Sequence, residues 1–410
     1  MRIKKIKITD KIIDFLTIFL YSSFFILETF SWGRYAFLGA AILILGIMCL
    51  KQKGKLRFSL QTWHYFILAL AVFSLFSIIW AINPADPKHK FTMLMQLFII
   101  YSIIYMHYSE HKNVSKLFAI IKWSGYTVAI YSIFNYGIDF VIKMLTSSVR
   151  LENTTINVNE IGLLATIAII IELYETVYYR HIKVSWIFAI PSFVMIMATQ
   201  SRKAFIMLFL GILFVLLILS DNKKGFVKKF LRICCIIGLV VISTYFLMKL
   251  PFFSGISERF GYIFEEMSGH SESGSSTNIR KELIRIGKEG FLRSPLFGHG
   301  FGCPHILANN AIQFDAYLHQ NYVELLAGGG IIGFTLFYSI YGYLFYNFYK
   351  YRRYDNYGKR LCIVFMVLFL IMDFGRVSCY SKDMYFNFMV FFIVLKDLKS
   401  KGVNYESTKV

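Results

Sequence analysis

Twelve apolar runs, each roughly the length of a bilayer-spanning helix, leave this chain almost no other architecture. They fall at about 12–31, 35–50, 63–82, 91–108, 117–137, 157–177, 184–199, 203–220, 231–250, 321–348, 360–378 and 384–396. Backbone groups have no water to pair with in hydrocarbon, so a continuous apolar run can cross only as a helix that satisfies itself. The expected fold is therefore all-α: a polytopic membrane protein of about 12 transmembrane helices. The composition agrees, with 57% hydrophobic residues and only 6 prolines in 410.

A formal charge of +20 could point to nucleic acid, but the positions of the cations argue against it. Segments between runs alternate in Lys+Arg content, and 28 of the 44 cations fall on one side. They include Arg2, Lys4, Lys5, the run Lys51 to Arg57, Lys223 to Arg232, and Lys350 to Arg360. Positive residues mark the cytoplasmic side, which puts both termini inside and the long segment 251–320 outside. The excess charge is read as topology, with no nucleic-acid partner. The basic-then-apolar N-terminal segment has no small-x-small cleavage site after it and is read as an uncleaved first span.

Six cysteines make no disulfide framework: Cys49, Cys234, Cys235 and Cys362 lie in or beside spans, leaving Cys303 and Cys379 to face outside. No metal-ligand spacing appears, and no Asp-x-Asp, Walker loop or Gly-x-Ser-x-Gly elbow.

The connections divide the chain into 1–250 with nine spans, an extracytoplasmic loop or lid at 251–320, and 321–410 with three spans and a cytoplasmic tail. A two-halved transporter would carry its long linker after the sixth span, where this chain has only Tyr178 to Lys183. Within the loop, Ile256, Phe260, Ile263, Phe264 and Met267 recur at helical spacing. A second helix is expected after a cap at Thr277 or Asn278, with Ile279, Leu283, Ile286 and Leu292 on its apolar side. A Gly-rich turn, Pro295 to Gly302, ends it.

Four outward-facing clusters could do chemistry. His319, with Asn321, Tyr322 and Glu324, stands at the mouth of the tenth span, and an imidazole titrates near neutral pH. Ser201-Arg202-Lys203 starts the eighth span, Arg280 lies on the loop helix, and Arg150 precedes Asn157, Asn159 and Gly162 at the sixth. Guanidinium forks pair with phosphate oxygens, so three arginines beside a histidine would form a pyrophosphate site if brought together. Asp373 and Arg376 are expected to pair with each other. Gly328-Gly-Gly-x-x-Gly333 is expected to serve close packing rather than nucleotide binding.

These motifs resemble those of the O-antigen ligase / Wzy polymerase superfamily of bacterial surface-polysaccharide enzymes. Ser201-Arg202, Arg280, Gly298-His-Gly-Phe-Gly302 and His319-Gln-Asn-Tyr-Val with Gly330-Ile-Ile-Gly333 are similar to its Ser-Arg, loop Arg, Gly-x-Gly-x-Gly and His-Asn-x-Tyr-Leu…Gly-x-x-Gly elements. Gln320 stands where the pattern has Asn, and Val323 where it has Leu. Arg150 to Asn159 resembles the family's Arg…Asn entry to an earlier span.

The resemblance implies a metal-independent inverting glycosyltransferase, with no cofactor, on the outer face of the cytoplasmic membrane. Its substrate would be an undecaprenyl-pyrophosphate-linked glycan, and membrane lipid, a chain-length regulator and a flippase would be its partners. By the same resemblance His319 is the catalytic base, and Arg202 and Arg280 hold the pyrophosphate. Arg150, Asn159, Asn321 and Tyr322 make secondary substrate contacts. The expected function is polymerisation of repeat units of an O-antigen or capsule. Transfer to a lipid A core is the close alternative, and a lipid-linked oligosaccharide flippase the alternative of another class.

Overall fold

A computed structural model describes residues 2–27, 30, 32–54, 56, 58–111, 114–147, 157–219 and 276–407, with 235, 238, 242, 246 and 249. Among them all regular structure is helical. All but five residues of the ninth run, the first loop helix at 256–267 and Arg150 lie outside the described residues. Eleven of the twelve apolar runs coincide with helices. They are α1 (Arg2–Ile26), α2 (Gly33–Lys51), α3 (Thr62–Phe76), α4 (Ala85–His111), α5 (Val114–Tyr136), α7 (Val158–Tyr179), α8 (Ala189–Ala198), α9 (Arg202–Ile218), α12 (Asn321–Lys350), α13 (Tyr357–Met372) and α14 (Lys382–Ser407). The other three are α6 (Ile138–Thr146), which the sequence pattern did not signal, α10 (Ser276–Arg293) and α11 (Pro304–Ile312). Among the described residues, five stretches are long and apolar enough to cross a membrane: Thr62–Ile79, Ala85–Glu110, Val114–Tyr136, Val158–Tyr179 and Asn321–Lys350.

The chain divides into two compact units, 1–42 with 115–271 and 360–368, and 43–114 with 272–359 and 369–410. In the first, α7 and α9 pack through small residues. A Cβ on Gly162 would meet Thr199 Oγ1 at 2.8 Å and Ala204 Cβ at 2.9 Å. An ion cluster closes the other end: Lys122 Nζ lies 2.9 Å from Glu172 and 2.7 Å from Glu175, and Lys183 adds 2.8 Å to Glu175. Tyr126 and Ser185 donate to Glu172 as well, so these buried charges are both paired and hydrogen-bonded.

The second unit is organised by a break in α12. Gly330 has φ 60° and ψ −163°, a combination confined to glycine. The rings of Tyr322 and Tyr338 lie 5.1 Å apart. In an unbroken helix, their sixteen-residue separation would place those residues about 24 Å apart, so 321–329 is a separate helix bent back toward the start of 331–350.

A helix break strands polar groups, and the turn after α10 supplies their partners. His299 N donates to Ala327 O at 2.9 Å, while Ile331 N and Ile332 N donate to Pro295 O and Leu296 O at 2.9 and 3.3 Å. The approach is backbone on backbone. A Cβ on Gly298 would sit 2.5 Å from Gly328 C, and one on Gly330 would sit 2.3 Å from Leu296 O. The glycine run thus serves close packing, as expected, and also allows the break.

The described part of the loop is one packed body. Leu283, Ala308, Leu318, Val323 and Ala327 form a buried cluster joining α10, α11 and the first half of α12. Two readings of α10 are corrected. The helix begins at Ser276, which puts Thr277 and Asn278 inside it rather than at its cap. Leu292 is 74% exposed, because α10 is covered along Leu283, Ile286, Gly287 and Gly290 and the covered stripe ends there.

Gly330→Ala is expected to lower the unfolding midpoint of the detergent-solubilised protein, by about 2–4 kcal/mol from backbone strain and the clash with Leu296 O. Gly342→Ala, on the same helix with nothing within 4 Å, is the control and should be neutral or stabilising. Equal midpoints for the two variants would remove the break as a structural requirement.

Candidate functional site

His319 has φ +56°, a left-handed conformation that strains a residue with a Cβ. Its neighbours hold it there. On one side, Leu318 is fully buried and its N–H donates to Glu324 Oε2 at 2.9 Å. On the other, Asn321 N donates to Asp373 O at 2.8 Å. Such conformations persist only where the surroundings over-determine them.

Asn321 is fully buried and its amide is saturated. Nδ2 donates to Tyr338 Oη at 2.9 Å and Asp373 Oδ2 at 3.1 Å, while Oδ1 accepts from Ser378 N and Cys379 N. Tyr322 donates to Leu370 O at 2.7 Å and stacks on Tyr338. In this structure both side chains fix the start of α12, and Asn321 has no donor or acceptor left for a substrate. Asp373 also accepts from Ser378 Oγ at 2.6 Å and Tyr338 Oη at 2.9 Å. Arg376 Nη2 donates to both carboxylate oxygens of Asp383, at 2.9 and 3.0 Å, and its charge acts on Asp373 as well, the partner its spacing suggests.

Arg280 lies on α10, which runs parallel to the first half of α12. Gly290 adjoins His299, which is bonded to Ala327, and Gly287 adjoins Val323 and Leu318. Continuing that register puts Arg280 at the His319 end of the pair. In the other unit, Ser201 caps α9 by accepting from Ala204 N, which makes Arg202 its first residue. Gln200 turns the chain at φ 48° and is held by bonds from its Nε2 to Met144 O and Ser147 O. Asn157 caps α7 by accepting from Asn159 N. The contacts of Gly162 with Thr199 and Ala204 place the starts of α7 and α9, hence Asn159 and Arg202, at one end of that unit.

Two residues that hold the segment leading to His319 escape the sequence reading. Lys90 lies just before the fourth apolar run, but α4 begins at Ala85, so Lys90 is helical and buried. Its ammonium sits 4.2 Å from the Tyr380 ring and bonds to Tyr317 Oη at 3.2 Å. The second is His305, whose Nδ1 lies 2.6 Å from Asp315 Oδ1 and Nε2 3.1 Å from Asp86 Oδ2. Only an imidazolium donates from both nitrogens. Partial burial opposes that charge, but the hydrogen bonds to Asp315 and Asp86 outweigh it and raise the His305 pKa above its ordinary value. This clamp ties α11 and the segment leading to His319 onto α4. Cys303, expected to face outside, is buried, and burial pushes its thiol up to about 11.

Residues 187–338 match the family described as O-antigen ligase. The match supports the O-antigen ligase/Wzy superfamily for this part of the chain. The match spans Arg202, Arg280, the Gly298–Gly302 turn, His319 and the glycines of the break, while Arg150 and Asn159 precede it. A search of curated proteins found no significant match. The superfamily supports a membrane protein of ligase or polymerase type acting on lipid-linked glycan.

His305 gives a pH signature with a defined sign. Its folded-state pKa lies above the unfolded one, so its stabilisation is complete below about pH 6.5 and fades as pH rises through the folded value. His305→Ala should therefore have an unfolding midpoint furthest below that of the parent protein in mild acid, with the gap narrowing at higher pH. A gap that widens with pH would show that His305 is not held as the cation.

Proposed function

We propose that the protein is a polysaccharide polymerase that joins undecaprenyl-pyrophosphate-linked repeat units at the outer face of the bacterial cytoplasmic membrane. The observation that carries this is the family match over 187–338, which contains the histidine, two of the arginines and both glycine motifs. The geometry at His319 supports it: a pre-set imidazole at the head of a broken helix is an orientation device.

In the proposed reaction a sugar hydroxyl of one lipid-linked glycan attacks the anomeric carbon of another. His319 takes the hydroxyl proton, the new glycosidic C–O bond forms, and the bond to pyrophosphate breaks with inversion. Undecaprenyl pyrophosphate leaves with the bonding electron pair. Arg202 and Arg280 stabilise the charge that develops on it, and pyrophosphate's quality as a leaving group lets fixed guanidinium charge suffice. Arg150 and Asn159 contribute secondary contacts. Asn321 and Tyr322 act by fixing the turn that carries His319. Both termini lie in the cytoplasm, and a chain-length regulator and a flippase complete the pathway.

The ligase reading has one observation in its favour, the description of the matched family as O-antigen ligase. The two readings differ only in acceptor. Purified protein in liposomes, given lipid-linked repeat units alone, should yield a ladder of longer lipid-linked glycans. No extension there, with transfer once a lipid A core is added, would replace the polymerase with a ligase.

His319→Ala should abolish the product while the protein still inserts and accumulates. Arg202→Lys and Arg280→Lys should each lower the rate about tenfold or more, since an ammonium cannot form the planar fork. Unchanged chain length in the His319 variant would remove it from the mechanism.

A further inference from the structure

The turn that fills the break in α12 has its carbonyls satisfied by the protein. All six carbonyls from Pro295 to Gly300 accept a hydrogen bond from within the protein. The donors, in order, are Ile331 N, Ile332 N, Trp80 Nε1, Ser294 Oγ, Ile82 N and Cys303 N, at 2.9 to 3.3 Å. Non-helical backbone at membrane depth is tolerated where it is buried in protein, and here the main chain packs on Gly328 and Gly330.

The side chains this segment turns outward are apolar. Leu292 is 74%, Leu296 57%, Phe297 47% and Ile331 47% exposed. Trp80 packs on Phe297 at 5.1 Å between ring centroids, an indole of the kind enriched at membrane interfaces. The rim continues into the exposed Phe76 and Ile79 at the end of the Thr62–Ile79 stretch, which is apolar enough to span.

Exposure along α12 changes at the same point. No residue from Asn321 to Gly330 is exposed, whereas Ile331 and Thr335 open the following segment to the surroundings. Residues 331–350 form a helix of about 30 Å, the thickness of the hydrocarbon core. Asn321–Lys350 as a straight span would be half as long again.

We infer that the rim of Trp80, Leu292, Leu296, Phe297 and Ile331 lies against the acyl chains of the non-cytoplasmic leaflet. The membrane boundary of α12 then falls at Gly330. Residues 321–329 are an interfacial helix outside the hydrocarbon, and part of the long loop expected in water is a lipid-facing element. This does not depend on the glycosyltransferase reading, because it uses only exposure, hydrogen bonding, length and the sidedness read from the cation distribution.

The test is single-cysteine labelling of the full chain in liposomes, read as the increment over the unsubstituted protein, whose own cysteines set the baseline. Leu296→Cys and Ile331→Cys place the thiol in the rim, and Asn310→Cys and Ala311→Cys place it on exposed positions of α11. The expected result is that 296 and 331 fail to react with a membrane-impermeant maleimide, while a fluorophore introduced there by a permeant reagent is quenched by doxyl-labelled lipid. Positions 310 and 311 should react with the impermeant reagent and escape quenching. Leu296→Cys reacting like Asn310→Cys would overturn the lipid contact. Quenching at 311 equal to that at 331 would overturn the boundary at Gly330, since α11 would then be immersed with the first half of α12.

Discussion

The exchange of backbone hydrogen bonds across the break at Gly330 is the interaction on which the second unit depends. Opening a helix in a low-dielectric setting strands donors and acceptors, each costing several kcal/mol if left unpaired. Here the stranded groups of Ala327, Ile331 and Ile332 meet the backbone of Pro295 to His299. That pairing requires main chains to touch, hence glycine at 298 and 330, where a Cβ would lie 2.3 to 2.5 Å from neighbouring backbone atoms. Once the helix is bent, Asn321 reaches Tyr338 and Asp373, and the chain entering α12 has a fixed course. The left-handed turn at His319 is a downstream consequence of a break eleven residues later.

Two buried acids divide the work of holding that turn. Glu324 receives the N–H of the residue before His319, and Asp373 receives both the N–H and the amide of Asn321 two residues after it. Arg376 donates to Asp383, and Lys90 bonds to Tyr317 and packs on the Tyr380 ring. Bonds on both flanks thus fix the course of the main chain through His319.

Much of this was legible in the sequence where one physical cause dominates. Apolar length alone located eleven helices, two of which, α7 and α9, are capped by Asn157 and Ser201. His319 stood out because a ring that titrates near neutral pH sits at the mouth of a span beside Asn321, Tyr322 and Glu324. Legibility failed where the same residues permit two outcomes. Three consecutive glycines allow both close helix packing and a broken helix, and only a tertiary partner decides between them. Arg376 has acids three residues before it and seven after it, and spacing alone does not reveal that the farther one, Asp383, takes both bonds from its Nη2. Lys90 and His305 escape for a related reason: Tyr317 and Asp86, one partner of each, lie more than two hundred residues away, beyond any local pattern.

The same contacts change what the long loop can do. A lid must come away from the body it covers, yet α10, the Gly-rich turn and α11 share a buried core with α12 through Leu283, Ala308, Leu318 and Val323. Lifting them would expose that cluster, unpair the break in α12 and pull His305 from Asp86, with each hydrogen bond costing about 1 kcal/mol or more. The described loop segment from Ser276 onward is thus a wall that helps build the head of α12. Arg280 stands at the edge of that wall, at the His319 end.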